Sequence, residues 1–299
     1  MKVLLLYFSQ TGNTKKITDQ IAKGIKRAQC DIQPIKGYDT SKLHDYDLVG
    51  LGFPVFFYHE PFNVRDFIQE LPPLNNQHWF IYVTHANAIG EALPITSKSL
   101  KTKGAIVVGY HDCYADATVP FYPKPLYIDG HPDEAELEEA KQFGAHIVEF
   151  SPKVTSPDSN LIPEPLPVSS EYWKHQSEKL TMDYLSKAFP ELSINKEKCI
   201  ECGTCVERCP VDGIDIYAEP PRIQEPCSYC WHCVNVCPTL AIEADWSNWI
   251  AGAPETFKHY REELEAEAAK GNFRWLIDPD TVDLSDPLIR QRERKLSNP

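Results

Sequence analysis

Two stretches of the sequence, CIECGTCVERCP and CSYCWHCVNVCP, hold eight of the chain's ten cysteines. The first spaces Cys199, Cys202, Cys205 and Cys209 as C-x2-C-x2-C-x3-C-P, and 28 residues further on the same spacing returns at Cys227, Cys230, Cys233 and Cys237. Pro210 and Pro238 keep that offset, as do Ile214 and Ile242, so the segment is an internal duplication. Thiolates at this density select zinc or iron-sulfur centres. Zinc ribbons usually pair two C-x2-C knuckles across a longer gap, whereas three cysteines two apart can wrap a cubane corner by corner. Iron-sulfur chemistry is the leading reading and zinc the minority one.

A second stretch with chemistry is SQTGNT (Ser9, Gln10, Thr11, Gly12, Asn13, Thr14), which follows the apolar run VLLLYF without a spacer. A loop that leads from a buried strand into a helix N-terminus offers unpaired backbone N–H groups and a favourable dipole to an anion. The hydroxyls can complete such a cage, and a phosphate is its most economical occupant. No GxxxxGK[ST] pattern is present, so this is not a P-loop. The plain alternative is that these residues only cap the helix.

The elements that must position these residues alternate through the first 150 residues, as in a doubly wound parallel sheet. Strands are expected at Val3–Phe8, Asp31–Ile35, Asp47–Phe53, Trp79–Thr84 and Ala105–Tyr110. Helical faces are expected along Ile17, Ile21, Gly24, Ile25 and Ala28, from Pro61 to Leu71, from Ile89 to Leu100 and from Asp133 to Val148. In such a sheet the loops after the strands share one edge, where ligands bind. Ser9–Thr14, Pro54–Glu60 and His85–Glu91 should therefore meet there.

Residues 151–167 hold five prolines and should form a semi-rigid connector between two domains. A helix is expected over Tyr172–Phe189 and another over Pro254–Lys270, within a charged tail punctuated by aromatic residues. The tail should dock on the N-terminal domain or bury itself in a homo-oligomer interface. The expected organisation is 1–150, a linker and helix over 151–190, a cluster domain over 191–245 and a tail over 246–299.

The formal charge of -13 argues against nucleic acid as a partner. Early apolar runs are far shorter than the roughly 20 residues of a membrane span. With no cleavage site after Met1-Lys2 and cysteines spaced for metal, the chain reads as cytoplasmic.

The cysteine segment resembles the bacterial two-cluster ferredoxins, in which the fourth cysteine of each run ligates the cluster held by the other. The resemblance implies one 4Fe-4S cluster on Cys199, Cys202, Cys205 and Cys237, and a second on Cys227, Cys230, Cys233 and Cys209. It also implies a small α+β domain held chiefly by its clusters. Trp231 stands where the first loop has Gly203, and His232 where it has Thr204, so bulk is expected beside the second cluster.

The first 150 residues resemble a flavodoxin, with Ser9–Thr14 as the loop that holds the FMN phosphate. That resemblance implies a five-stranded flavodoxin-like α/β fold. It implies a flavin ring bordered by Pro54, Val55, Phe56, Phe57 and Tyr58, and by Thr84, His85, Ala86, Asn87 and Gly90. His59 and His85 lie on the rim. The segment His111–His131 exceeds a minimal flavodoxin and is expected to cover the cofactor edge.

The whole resembles the flavodoxin/ferredoxin fusion proteins of anaerobes, which implies electron transfer between FMN, two clusters and a redox partner. Residues 191–245 carry four basic against ten acidic side chains, so a basic docking surface on that partner is expected. One alternative is an FMN-dependent reductase of a small substrate, with Cys113, His111 and Tyr114 lining a pocket as candidate catalytic residues. Another is a cluster-based redox sensor that carries no flavin.

Overall fold

Alternate residues of the run VLLLYF face opposite layers, which is why an uninterrupted apolar stretch forms a strand here. Val3 and Leu5 of β1 (Lys2–Tyr7) belong to one core with Ile17, Ile21, Phe80 and Ile147, while Leu4 and Leu6 belong to the other with Val64, Ile68, Trp79 and Leu100. The computed structural model describes residues 1–224 and 227–297. Residues 225 and 226, inside the expected cluster domain, and 298 and 299, at the end of the expected tail, lie outside the described residues.

The chain divides into two units, the first made of Met1–Ala115 with His131–Leu180 and the second of Asp116–Gly130 with Thr181–Pro299. In unit 1, β1 is followed by α1 (Asn13–Gly24), β2 (Gln29–Pro34), β3 (Leu48–Pro54), α2 (Phe62–Glu70), β4 (His78–His85), α3 (Ala92–Thr102), β5 (Ile106–Tyr114) and α4 (Glu134–Phe150). The five strands are parallel in the order β2-β1-β3-β4-β5. Helix α4 opens on a capping box, with Asp133 accepting from the backbone of Glu136 and Glu136 accepting in return.

Three departures from the sequence expectation have physical reasons. Helix α3 starts at Ala92 rather than Ile89, which places Pro94 in the first turn, where its missing N–H costs nothing. Strand β5 runs to Tyr114 rather than Tyr110, because it stays paired with β4 as far as His85. The proline-rich stretch does not simply separate two domains: Val154 is buried in the unit 1 core with Ile162 packed against it.

The single helix expected over Tyr172–Phe189 is two, α5 (Glu171–Lys179) and α6 (Met182–Ala188). Thr181 accepts from the Tyr184 backbone and caps α6, and the unit boundary falls between Leu180 and Thr181.

In unit 2, α6 leads to β6 (Ser193–Ile194), α7 (Thr204–Glu207), β7 (Ile214–Asp215), β8 (Arg222–Ile223), α8 (His232–Val236), β9 (Ile242–Glu243), α9 (Ser247–Lys270) and α10 (Leu288–Ser297). Strands β6 and β9 pair antiparallel, as do β7 and β8. Helix α9 starts seven residues before the expected Pro254. That proline is exposed, so water can satisfy the carbonyl it leaves unpaired.

Of the segment His111–His131, residues Asp116–Gly130 belong to unit 2. Ile289 and Leu288 donate to the carbonyls of Pro120 and Tyr122 (2.9 and 2.7 Å), and Asn235 Nδ2 donates to Thr118 (2.9 Å). Phe121 sits 5.3 Å from Trp231 and 5.5 Å from both Trp246 and Trp249. The aromatic tail is thereby accounted for inside this unit.

Candidate cofactor sites

The turn between β1 and α1 is shaped by Gly12, whose φ of +102° is a conformation that side chains rarely adopt. Ser9 Oγ accepts from the backbone of Gly12 and Lys15 (3.2 and 3.3 Å), which folds the loop back over the start of α1. The N-cap residue, Gly12, has no side chain to offer and no acidic residue stands in the first turn, so beyond the Ser9 hydroxyl on the Lys15 N–H the field of this helix end favours an anion. Thr11 is exposed, whereas Thr14 is buried and its hydroxyl is bonded to Thr84 Oγ1 at 2.8 Å. Thr14 thus ties the loop after β1 to the end of β4.

The loops after β3 and β4 meet, and the residues that flank the loop after β1 reach toward both. Phe8 meets Phe56 edge-on at 6.1 Å, and the Glu91 N–H donates to the Tyr58 carbonyl at 2.9 Å. Phe57 and Tyr58 have φ of 51° and 68°, and Phe56 and His59 exchange backbone hydrogen bonds around them. This is a tight turn of a kind usually built from Gly, Asn or Asp. Holding two aromatic residues there costs on the order of 1–3 kcal/mol each.

Buried polar atoms with no hydrogen-bond partner among the described residues include His59 Nδ1, on the loop after β3, and His85 Nδ1 and Asn87 Oδ1, at the end of β4 and on the loop after it. A flavin carries ring N–H and carbonyl groups that such atoms could satisfy, so the residues present fit it. When bound, FMN would supply one- and two-electron redox chemistry, and the loop after β1, the aromatic turn and these polar atoms would hold it.

His85 Nε2 lies 3.3 Å from Asp112 Oδ2, and its ring is 4.5 Å from that of Tyr114. Burial opposes ionisation of Asp112, but the His85 hydrogen bond and the charges of His85 and His111 outweigh it and hold the carboxyl below its ordinary range. His111 lies flat on Phe143 at 5.0 Å, and burial holds its imidazole below its ordinary value. Sequence reasoning did not single out Asp112; only the pairing of β4 with β5 brings it to His85.

Cys113 and Tyr114 are buried, and the Cys113 thiol donates to the Tyr114 carbonyl at 3.2 Å. Burial, with Glu136 and Asp112 nearby, pushes that thiol far above its ordinary value, which argues against a thiolate role. Cys30 is likewise pushed up to about 11, by burial and Asp31, which favours the thiol.

In unit 2 the eight cysteines line two cavities. Cys199, Cys202, Cys205 and Cys237 border one; Cys209, Cys227, Cys230 and Cys233 border the other. Each cavity takes three cysteines from one run and the fourth from the other. Backbone N–H groups already point at sulfur, with Gly213 donating to Cys209 at 3.3 Å and Ala241 to Cys237 at 3.2 Å. The donor set fits 4Fe-4S clusters, each of which supplies a one-electron couple.

The duplication extends to the backbone. Positive φ occurs at Glu201 and Tyr229, at Gly203 and Trp231, and at Asp212 and Leu240, always 28 residues apart. At Gly203 the conformation is easily adopted; at Trp231 it is strained. The indole is held by Phe189 at 4.6 Å and Phe121 at 5.3 Å, contacts that offset the strain. Bulk does stand beside the second cavity, and Trp231 and His232 both line it. The first is open by comparison, with Cys202 exposed and Ile200 63 % exposed.

A hydroxyl-bearing loop at a parallel sheet edge, with a duplicated cysteine domain, suits an iron-sulfur flavoprotein. A flavodoxin domain model matches residues 4–105 and a 4Fe-4S dicluster domain model matches residues 191–244. The chain therefore joins a flavodoxin domain to a 4Fe-4S dicluster domain, and its role is in electron transfer. Among solved structures, a flavodoxin from the domain Archaea matches at 19 % identity and TM-score 0.40, covering 50 % of this chain and 97 % of its own. Flavodoxin 1 from Bacillus cereus matches at 20 % identity and TM-score 0.40, covering 50 % and 98 %. Rubredoxin:oxygen oxidoreductase from Desulfovibrio gigas matches at 16 % identity and TM-score 0.40, covering 52 % of this chain and 37 % of its own. No curated protein matches the chain.

Proposed function

We propose that the chain is an internal electron relay between FMN and two 4Fe-4S clusters, serving a protein redox partner in the cytoplasm. The observation that carries this reading is the pairing, in one polypeptide, of an anion cage and aromatic turn suited to FMN with two cavities of four cysteines each. A two-electron carrier joined to one-electron centres converts paired electrons into single ones. The acidic cluster segment would steer a partner with a basic face, at rates that fall as salt rises. Among the described residues no helix is long and apolar enough to cross a membrane.

The reading of a substrate pocket lined by Cys113, His111 and Tyr114 has less support, because Cys113 and Tyr114 are buried. The test is an anaerobic stepwise reductive titration that follows flavin absorbance together with the spin signals of the reduced clusters. The relay requires all three centres to be present and to equilibrate. Clusters that reduce in a protein without flavin would favour a sensor instead.

A further inference from the structure

Helix α5 lies outside both matched segments, yet within unit 1 it is fastened to the two loops that border the flavin ring. Trp173 is 2 % exposed and its ring is 5.1 Å from that of Tyr58. His59 Nε2 is 2.7 Å from the carbonyl of Ser177. A carbonyl can only accept, so the proton is on Nε2, and in the neutral ring Nδ1 is left as a buried acceptor with no partner among the described residues.

The same bond serves the helix. Ser177 stands in its last turn, where carbonyls lack intrahelical partners, so His59 caps the C-terminus of α5 while α5 fixes the ring of His59. The third member of the junction is Gly90. A Cβ there would come within 2.2 Å of Tyr58 Cβ and 2.7 Å of Ser177 Oγ, so the loop after β4 is closed against both the aromatic turn and the helix.

The turn at Phe57 and Tyr58 is strained and must be held by its surroundings. Its holders are Glu91 from the neighbouring loop and, through Tyr58 and His59, helix α5. We propose that α5 is a clasp that sets the flavin-ring loops in their binding geometry, with Trp173 and His59 as positioning residues. The proposal rests on the FMN reading of unit 1. It makes recognition of the ring, as distinct from the phosphate, depend on a helix beyond the flavodoxin segment.

The test uses the full-length, cluster-loaded chain stripped of flavin. FMN and riboflavin, which lacks the phosphate, are titrated anaerobically and their fluorescence quenching is followed. Trp173→Ala should weaken both flavins by the same factor, at least tenfold, and Trp173→Phe should restore most of the loss. Ser9→Ala, in the phosphate loop, should weaken FMN alone. Wild-type hydrogen exchange gives a measurement that needs no variant: by reciprocity, FMN must slow exchange across Glu171–Lys179.

Unchanged affinity for both flavins in folded Trp173→Ala would sink the clasp and leave the FMN reading intact. Should that variant fail to fold, exchange in α5 that is indifferent to FMN would do the same. A wild-type chain that binds neither flavin would overturn the FMN reading and the clasp together.

Discussion

Crossed ligation is decided one residue at a time. Cys237 lies in the second run but borders the cavity of Cys199, Cys202 and Cys205. Cys237→Ser should therefore lose the same cluster as Cys202→Ser, with about half the iron gone and matching spin spectra, while Cys230→Ser should give a different spectrum. If Cys237→Ser matched Cys230→Ser, each run would hold its own cluster. A second residue-scale consequence concerns pH. Burial holds His111 below its ordinary value, so between the two values the unfolded chain binds a proton that the folded chain does not. Stability of unit 1 should fall as pH drops through about 6.5 toward the folded value. His78, also lowered by burial, has the same sign, and Asp112 adds a loss further down, as pH falls through its depressed value. Thermal melts of flavin-free protein across that window should show a shallower pH slope for His111→Phe, with His78 keeping it above zero. An unchanged slope would mean that His111 is protonated in the fold.

Elements are set by local signals where those signals are strong. The capping box of Asp133 and Glu136 fixes the start of α4, and Asp133→Ala should cost about 1 kcal/mol. For a unit of this size the melting temperature should fall by about 2–4 °C, and a melt of the flavin-free protein checks it. Such signals made the sheet legible from apolar runs and helical faces, and the cysteine spacing did the same for the cluster cavities. What stayed hidden was set by pairing between distant residues. The polar run HDCY gives no strand signal, yet its register against β4 carries β5 to Tyr114 and brings Asp112 to His85. The sequence of α5 reads as a helix but does not say what it caps; Ser177 and His59 are 118 residues apart. Likewise the turn at Phe57 and Tyr58 lacks the residues that usually announce it.

For the molecule as a whole, the chain leaves unit 1 after Ala115, returns at His131 and leaves again after Leu180, so its second unit is discontinuous. A domain boundary drawn at Leu180, or at residue 190 as the cysteine pattern suggests, would leave Asp116–Gly130 behind. That segment brings Phe121 against Trp231, Trp246 and Trp249, Tyr122 against Phe257, and Tyr127 against Phe257 and Trp275. Deleting one buried aromatic side chain costs roughly 3–5 kcal/mol. Domains are stable by only about 5–15 kcal/mol, so losing the buried Phe121 and Tyr127, with the half-buried Tyr122 besides, should remove most of what holds this unit apart from its clusters. A fragment spanning Thr181–Pro299 should therefore lose its clusters to an iron chelator at least tenfold faster than the full chain, as followed by cluster absorbance. A fragment spanning Asp116–Pro299 should resist, even though it carries 131–180 away from the sheet on which that stretch normally lies. Equal rates for the short fragment and the full chain would show that the cysteine duplication and its tail hold the clusters without the strap. The expected order, full chain and long fragment slow and short fragment fast, would show that an excursion from the flavodoxin half is part of the fold that carries the iron.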